Sequence, residues 1–325
     1  GARQGRRYYD EGNQQGHFHR DYEIKMAGSQ QKTVRPRLAC EITSEGVIAA
    51  RASEKTSKLE VFTSRRFSEG TIAPGLNVPN ILNPEALRTA LSGALASVAG
   101  KSKDVIVVLP DVAIRMMLLD FDSLPTKREE IEPVLRFRLK KSLPFDVDHA
   151  TLSYDITRAN GTVRVAAAVA PHEIIDEYEK AFRDIGYEPG VVLPSSVAAL
   201  GLVDGERPTL VLKVDSMNIT ITAVERQELR LVRTLDNPHT GTFSATELSE
   251  AVLPSIVFFE DTFSAHIEKI YVGGPAPLDE LGPLLHQQTG AQVQELAPEL
   301  GVEQNLSGEH VSPTTMAGIV GALLG

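Results

Sequence analysis

One arrangement of elements occurs twice in this chain, and it limits the available folds more than any single motif. From Arg37 to Leu109, RLACEIT, VIAARAS and KLEVFTSRRF read as three strands. NPEALRTALSGALASVAG has helical spacing, and DVIVVLP is a buried strand. From Thr209 to Gly274 the order returns in TLVLKVD, ITITAVE, ELRLVRTL, the helix SATELSEAVLPSIVFFEDTF and the strand IEKIYVGG. A strand–strand–strand–helix–strand unit, repeated, predicts two similar α/β lobes with a cleft between them.

An insertion, about 110–189, separates the copies. AIRMMLLDF alternates like a strand. KREEIEPVLRFRLKKSLP follows Pro125 and Thr126 as a helix, with Glu129 and Glu130 in its first turn and Lys140 and Lys141 in its last, the order a helix dipole favours. TLSYDIT and VRVAAAVA flank Asn160-Gly161, a hairpin signal, and PHEIIDEYEKAFRDIG reads as a second helix closed by Gly186. VVLPSSVAALGLV then leads back as a strand and a helix. The domain expectation follows. Residues 37–109, with 190–207 and part of the C-terminal helix, form the first lobe. Residues 110–189 form an inserted α+β subdomain, and 208–325 form the second lobe, ending in the small-residue helix PTTMAGIVGALLG. Residues 1–36 are polar, Gln- and Gly-rich, and read as a loose arm that need not be native, Met26 being a candidate natural start. His17 and His19, with Asp21 nearby, read as incidental there, since nothing fixes a metal geometry.

Composition removes several function classes. A formal net charge of −10 argues against nucleic acid as the main partner, which needs a concentrated basic face. The single cysteine, Cys40, lies in an apolar strand and reads as a core residue; with no internal disulfide available, a reducing cytoplasm fits. No apolar run reaches the ~18 residues of a membrane span, and no signal peptide is visible, so a membrane role is expected only through a partner. Gly100-Lys101-Ser102 imitates a phosphate-binding loop, but it ends a helix where such a loop begins one. No GxSxG, HExxH, EF-hand loop or CxxC occurs, and the remaining histidines are scattered singly, so hydrolytic and metal chemistry have no support.

Taken in order over about 37–325, these runs resemble the PilM family, actin-like cytoplasmic proteins of type IV pilus assembly related to FtsA. The most specific part is the insertion, VIVVLPDVAIRMMLLDFDSLPTKREEIEPVLRFRLKKSLPFDVDHATLSYDI. Leu143-Pro144-Phe145 follows its long helix and Tyr154-Asp155 stands in the next strand. SIVFFEDTF before IEKIYVGG, and VVLPSSVAALGL between the lobes, also match. The resemblance implies an actin-like, ribonuclease H-like duplicated two-lobe fold with an FtsA/PilM-type inserted subdomain. It implies ATP binding, and binding of the N-terminal tail of the inner-membrane protein PilN in a groove between the first lobe and the insertion. The family forms a ring or collar linking cytoplasmic motor ATPases to a membrane complex. Candidate groove residues here are Arg136, Leu139, Lys140, Leu143, Pro144 and Phe145, with helix core as the plainer role for Leu139 and Leu143.

The sequence departs from that family at the nucleotide cleft. In actin-like folds the first turn of each lobe cradles phosphates with backbone N–H groups, usually through Gly, while an Asp holds Mg²⁺ through water. The corresponding turns here are Glu41-Ile42-Thr43-Ser44-Glu45-Gly46 and Asp215-Ser216-Met217-Asn218. Candidate nucleotide contacts are therefore Thr43, Ser44, Asp215, Ser216, Asn218, Gly273 and Gly274, with Asp215 the one Mg²⁺ candidate. Family members place Gly where Thr43 stands, and Glu45 sets a negative charge near the phosphates at a cost of about 1 kcal/mol or more. The expectation is a scaffold with a degenerate cleft, no catalytic residue, no resident cofactor, and weak or absent ATP binding. Two alternatives remain at this point. One is an actin-like ATPase or sugar kinase, which would need a phosphate cradle, Mg²⁺ ligands and a base. The other is a GspL-like cytoplasmic secretion scaffold.

Overall fold

The computed structural model describes residues 35–54, 56, 58–159, 161–237, 242–297, 304–306 and 311–325. Met26, the group at His17, His19 and Asp21, and Asn160 of the expected hairpin turn lie outside them. In the first lobe β1 (Leu38–Ile42), β2 (Gly46–Ala52) and β3 (Leu59–Arg66) form an antiparallel meander. α1 (Pro84–Val98) starts as its sequence dictates: the Asn83 side chain accepts the Ala86 N–H at 3.1 Å, and Pro84 opens the first turn. β4 (Asp104–Leu109) then pairs parallel with β1. Cys40 is fully buried in β1, and burial pushes its thiol pKa well up, which leaves it an unreactive core residue.

The insertion contributes β5 (Arg115–Phe121), α2 (Arg128–Leu139), β6 (Thr151–Ala159) and β7 (Thr162–Ala170), with sheet order β5-β7-β6. α3 (His172–Arg183), β8 (Glu188–Pro194) and α4 (Ser195–Ala199) lead to the second lobe. There β9 (Thr209–Val214), β10 (Asn218–Glu225) and β11 (Glu228–Asp236) repeat the meander. α5 (Ala245–Phe263), opened by a Ser244/Glu247 capping box, precedes β12 (Lys269–Gly273). α6 (Leu278–Thr289), β13 (Gln292–Glu295), β14 (Gln304–Asn305) and α7 (Ala317–Leu324) complete the chain.

Five strands of the two lobes match in order, and β14 adds a sixth at the edge of the first sheet. The first sheet runs β14-β3-β2-β1-β4-β8 and the second β11-β10-β9-β12-β13. β4 and β8 are parallel to β1, as β12 and β13 are to β9. The first hairpin closes at Ile42↔Val47 and the second at Val214↔Ile219, so Glu41 and Lys213 occupy equivalent positions.

The segment 110–189 does not share one core. Ile131, Leu135 and Leu139 of α2 pack on Leu119, Val165 and Ala167. The opposite face of β7, Ala166, Ala168 and Ala170, packs on the lobes, its small side chains permitting close approach. With both faces of the small sheet covered, α3 has no place on it. Its stripe of Ile174, Ile175, Tyr178 and Phe182 joins the first lobe beside Leu87 and Leu91 of α1 and Val192 of β8.

α7 also crosses to the first lobe, where Ile319, Val320 and Ala322 pack with Ile106, Val108 and Ala198. A Cβ on Gly321 would lie 2.1 Å from the Ala198 carbonyl oxygen, so α7 and α4 meet backbone to backbone. Among the described residues no helix is long and apolar enough to cross a membrane.

Candidate functional site: the cleft between the lobes

The two hairpin turns face each other across the cleft, as the duplication requires. In the first, the Thr43 hydroxyl oxygen accepts the N–H groups of Gly46 (3.2 Å) and Glu45 (3.3 Å). These are backbone donors of the kind that would cradle a phosphate, and a side chain already holds them. In the second turn Asp215 accepts the Met217 N–H at 3.3 Å, and Asn237 Nδ2 donates to the Ser216 carbonyl at 2.9 Å. The tips also bond to one another. Ser44 Oγ donates to Asp215 Oδ1 at 3.2 Å and lies 2.6 Å from Ser216 Oγ. The one carboxylate suited to Mg²⁺ is thus engaged by the opposite lobe.

Beneath the tips lies a buried ion pair. Lys213 Nζ is 3.6 Å from Glu41 Oε1, and their side chains are 9% and 1% exposed. Glu41 also accepts from Ser195 Oγ and, at 3.0 Å, from the Ile319 N–H of α7. Burial favours the neutral form of Lys213, but Glu41, Asp111 and Asp215 together outweigh it and hold the ammonium above the ordinary lysine pKa. Asp111, just after β4, is fixed by the N–H and Oγ of Ser196, both at 2.8 Å. The duplicated strands therefore carry opposite charges at equivalent positions, and the pair ties lobe to lobe. An internal ammonium now faces the carboxylates at the cleft floor.

A cavity of about 320 Å³ remains beside the turns, lined by Thr43, Ser44, Asp215, Ser216 and Gly274 among others. It adjoins a second of about 450 Å³ that shares Gly274, Pro275, Ser312 and Thr315. Five of the seven expected nucleotide contacts thus meet at one place. Asn218 does not: it is 2% exposed inside the second lobe. Gly273 is also off both cavity walls. Gly274 has φ +87°, and a Cβ there would lie 1.9 Å from the Val214 carbonyl oxygen, so this glycine is required by strand packing whether or not a nucleotide binds. Taken together, the engaged amides, the bonded tips and the resident ammonium do not fit a Mg²⁺–nucleotide complex. Lys213 was missed in the sequence, although a lysine inside the apolar run TLVLKV signals a buried partner.

The expected partner residues separate into two groups. Leu139 is fully buried under α2 and cannot line a groove. Arg136 bonds Glu132 and the carbonyls of Val147 and Ala150, which fixes the loop after the helix. Leu143 packs on the subdomain core, and Lys140 pairs with Asp148. Pro144 is exposed and Phe145 half-buried. The outer face of α2 also carries Phe137, 70% exposed, with Val134 one turn before it. Its signal was present: Ile131, Leu135 and Leu139 fill the inner face at i, i+4 and i+8, so an apolar residue at 137 must point outward.

No protein-family model and no curated protein matches the sequence. Solved structures do match in shape. A chain of a PilM–PilN type IV pilus biogenesis complex superposes with a TM-score of 0.70 at 17% identity, covering 90% of this chain and 97% of that one. The cytoplasmic domain of EpsL, an inner membrane component of the type II secretion system of Vibrio cholerae, gives 0.52 at 13% identity, covering 89% and 94%. The chain thus has the actin-like two-lobe fold. Within that class, its architecture resembles that of the PilM–PilN complex.

Proposed function

We propose that this chain is a non-catalytic docking platform of a type IV pilus machine, working at the cytoplasmic side of the inner membrane. The observation that carries the reading is the cleft, whose two phosphate turns satisfy each other. The likeness to the PilM–PilN complex supports the choice of machine. In this reading the protein holds the N-terminal tail of a PilN-like membrane protein, assembles as a ring, and relays to motor ATPases. We assign the partner face to the outward side of the insertion, where Phe137 and Val134 are exposed on α2 and Pro144 and Phe145 follow the helix in sequence. Arg136 and Leu139 support that face from beneath. The weaker likeness to EpsL makes a type II secretion scaffold the second reading.

Fluorescence anisotropy with a labelled PilN-like N-terminal peptide tests the assignment. Phe137→Asp is expected to weaken binding by about tenfold or more without lowering thermal stability, because the ring makes its contacts outside the core. Unchanged affinity in that variant would remove α2 from the interface; no binding by the folded wild type would remove the pilus reading itself.

A further inference from the structure

A second recognition surface lies on the other side of the insertion. β5 is an edge strand of the small sheet and β11 an edge strand of the second lobe. They flank a groove of about 510 Å³, closed at one side by Phe258, Thr262 and Phe263 of α5. Four arginines line it, Arg115, Arg164, Arg230 and Arg233, against one acidic residue, Asp120. In a chain of net charge −10 this is a concentrated positive surface.

The arginines are unequally occupied. Arg164 pairs with Asp120 at 2.7 Å and stacks over Phe263 at 5.2 Å, yet its other terminal nitrogen is buried without a hydrogen-bond partner. Arg230 pairs with Glu228 at 2.9 Å and lies 5.6 Å from the same ring. Arg115 and Arg233 are exposed and have no partner among the described residues. Two guanidinium groups are thus held rigid over an aromatic floor while two stand free at the rim. Phe258, 55% exposed, adds an apolar foothold.

We propose that this groove binds an extended acidic segment of a partner protein. Its carboxylates would meet the exposed guanidinium groups of Arg115 and Arg233, and the unpartnered nitrogen of Arg164, through charge-assisted bonds, and its main chain would lie along the groove between β5 and β11. A carboxylate-rich strand fits the observations better than a compact anion, because the positive groups are spread over three strands, Arg115 on β5, Arg164 on β7, and Arg230 and Arg233 on β11. The site is separate from the outward face assigned to the PilN-like tail.

The test uses the full chain and two labelled peptides, one alternating Glu with Val, the other alternating Gln with Val. The acidic peptide is expected to bind, with affinity falling roughly tenfold between low and physiological salt as screening grows. The Gln peptide is expected to bind at least about tenfold more weakly, and Arg115→Glu with Arg233→Glu should weaken the acidic peptide by a similar factor. Both positions are exposed, so the fold should persist, and unchanged binding of the PilN-like peptide by the double variant would verify that and separate the two sites. Equal binding of the two peptides, or full binding by the double variant, would overturn the proposal. Tighter binding of inorganic tripolyphosphate than of the acidic peptide would also overturn it, in favour of a compact anion.

Discussion

Lys213→Ala is expected to destabilise the protein by about 3–5 kcal/mol, the cost of leaving one member of a buried ion pair without its partner. Glu41 would keep Ser195 and the Ile319 N–H but lose the Lys213 ammonium, its one cation among the described residues. Equilibrium urea unfolding measures this directly. The loss should shrink as pH falls from neutrality toward 5. Burial already raises the Glu41 pKa in the folded protein, and removing the ammonium raises it further. A carboxyl whose folded pKa exceeds its unfolded value binds protons preferentially when folded, so lowering pH through that window favours the folded variant. Glu41→Gln in the same background should recover much of the loss. A Lys213→Ala variant as stable as wild type, with no pH dependence of its own, would mean the pair does not join the lobes.

Gly321→Val carries the second large effect. The new Cβ would sit within 2.1 Å of the Ala198 carbonyl oxygen, a backbone atom that cannot swing aside. α7 would have to lift from α4, loosening the packing of Ile319, Val320 and Ala322 and the Ile319 N–H bond to Glu41. Overpacking of this kind is expected to cost about 3 kcal/mol. Gly93→Ala is the contrast. Gly93 is exposed within α1, and only Arg65 Nε, at 3.9 Å, lies near its Cβ position. Relief of helix-interior glycine should stabilise the protein by about 0.5–1 kcal/mol. Thermal melts of the two variants should therefore move in opposite directions.

The lobes were readable because their strands alternate with period two and their helices with period 3.6, and the order of switching repeats. The small residues of α7 likewise pointed to a helix packed closely on the core. What each surface packs against was less legible. The stripe on α3 says that it needs an apolar face, but only the covered state of the insertion sheet sends it to α1 and β8. The degenerate phosphate turn could be read from Thr43 standing where glycine is usual. That its hydroxyl captures the Glu45 and Gly46 amides depends on local geometry that composition does not encode. Glu41 and Lys213 each stand out as charges in apolar strands. Pairing them requires aligning the two copies residue by residue and noticing that equivalent positions carry opposite charge. On α2, residue type drew attention to Arg136 and Leu139, whereas helical phase assigns those to structure and leaves Phe137 exposed on the outer face.

Titration calorimetry of Mg²⁺–ATP into the wild-type protein tests the reading of the cleft most directly. With the turn amides held by Thr43, the tips joined through Ser44, Asp215 and Ser216, and Lys213 facing the carboxylates, no binding tighter than on the order of 1 mM is expected. A dissociation constant in the micromolar range would contradict the account, because the turns would then have to part and give their donors to phosphate.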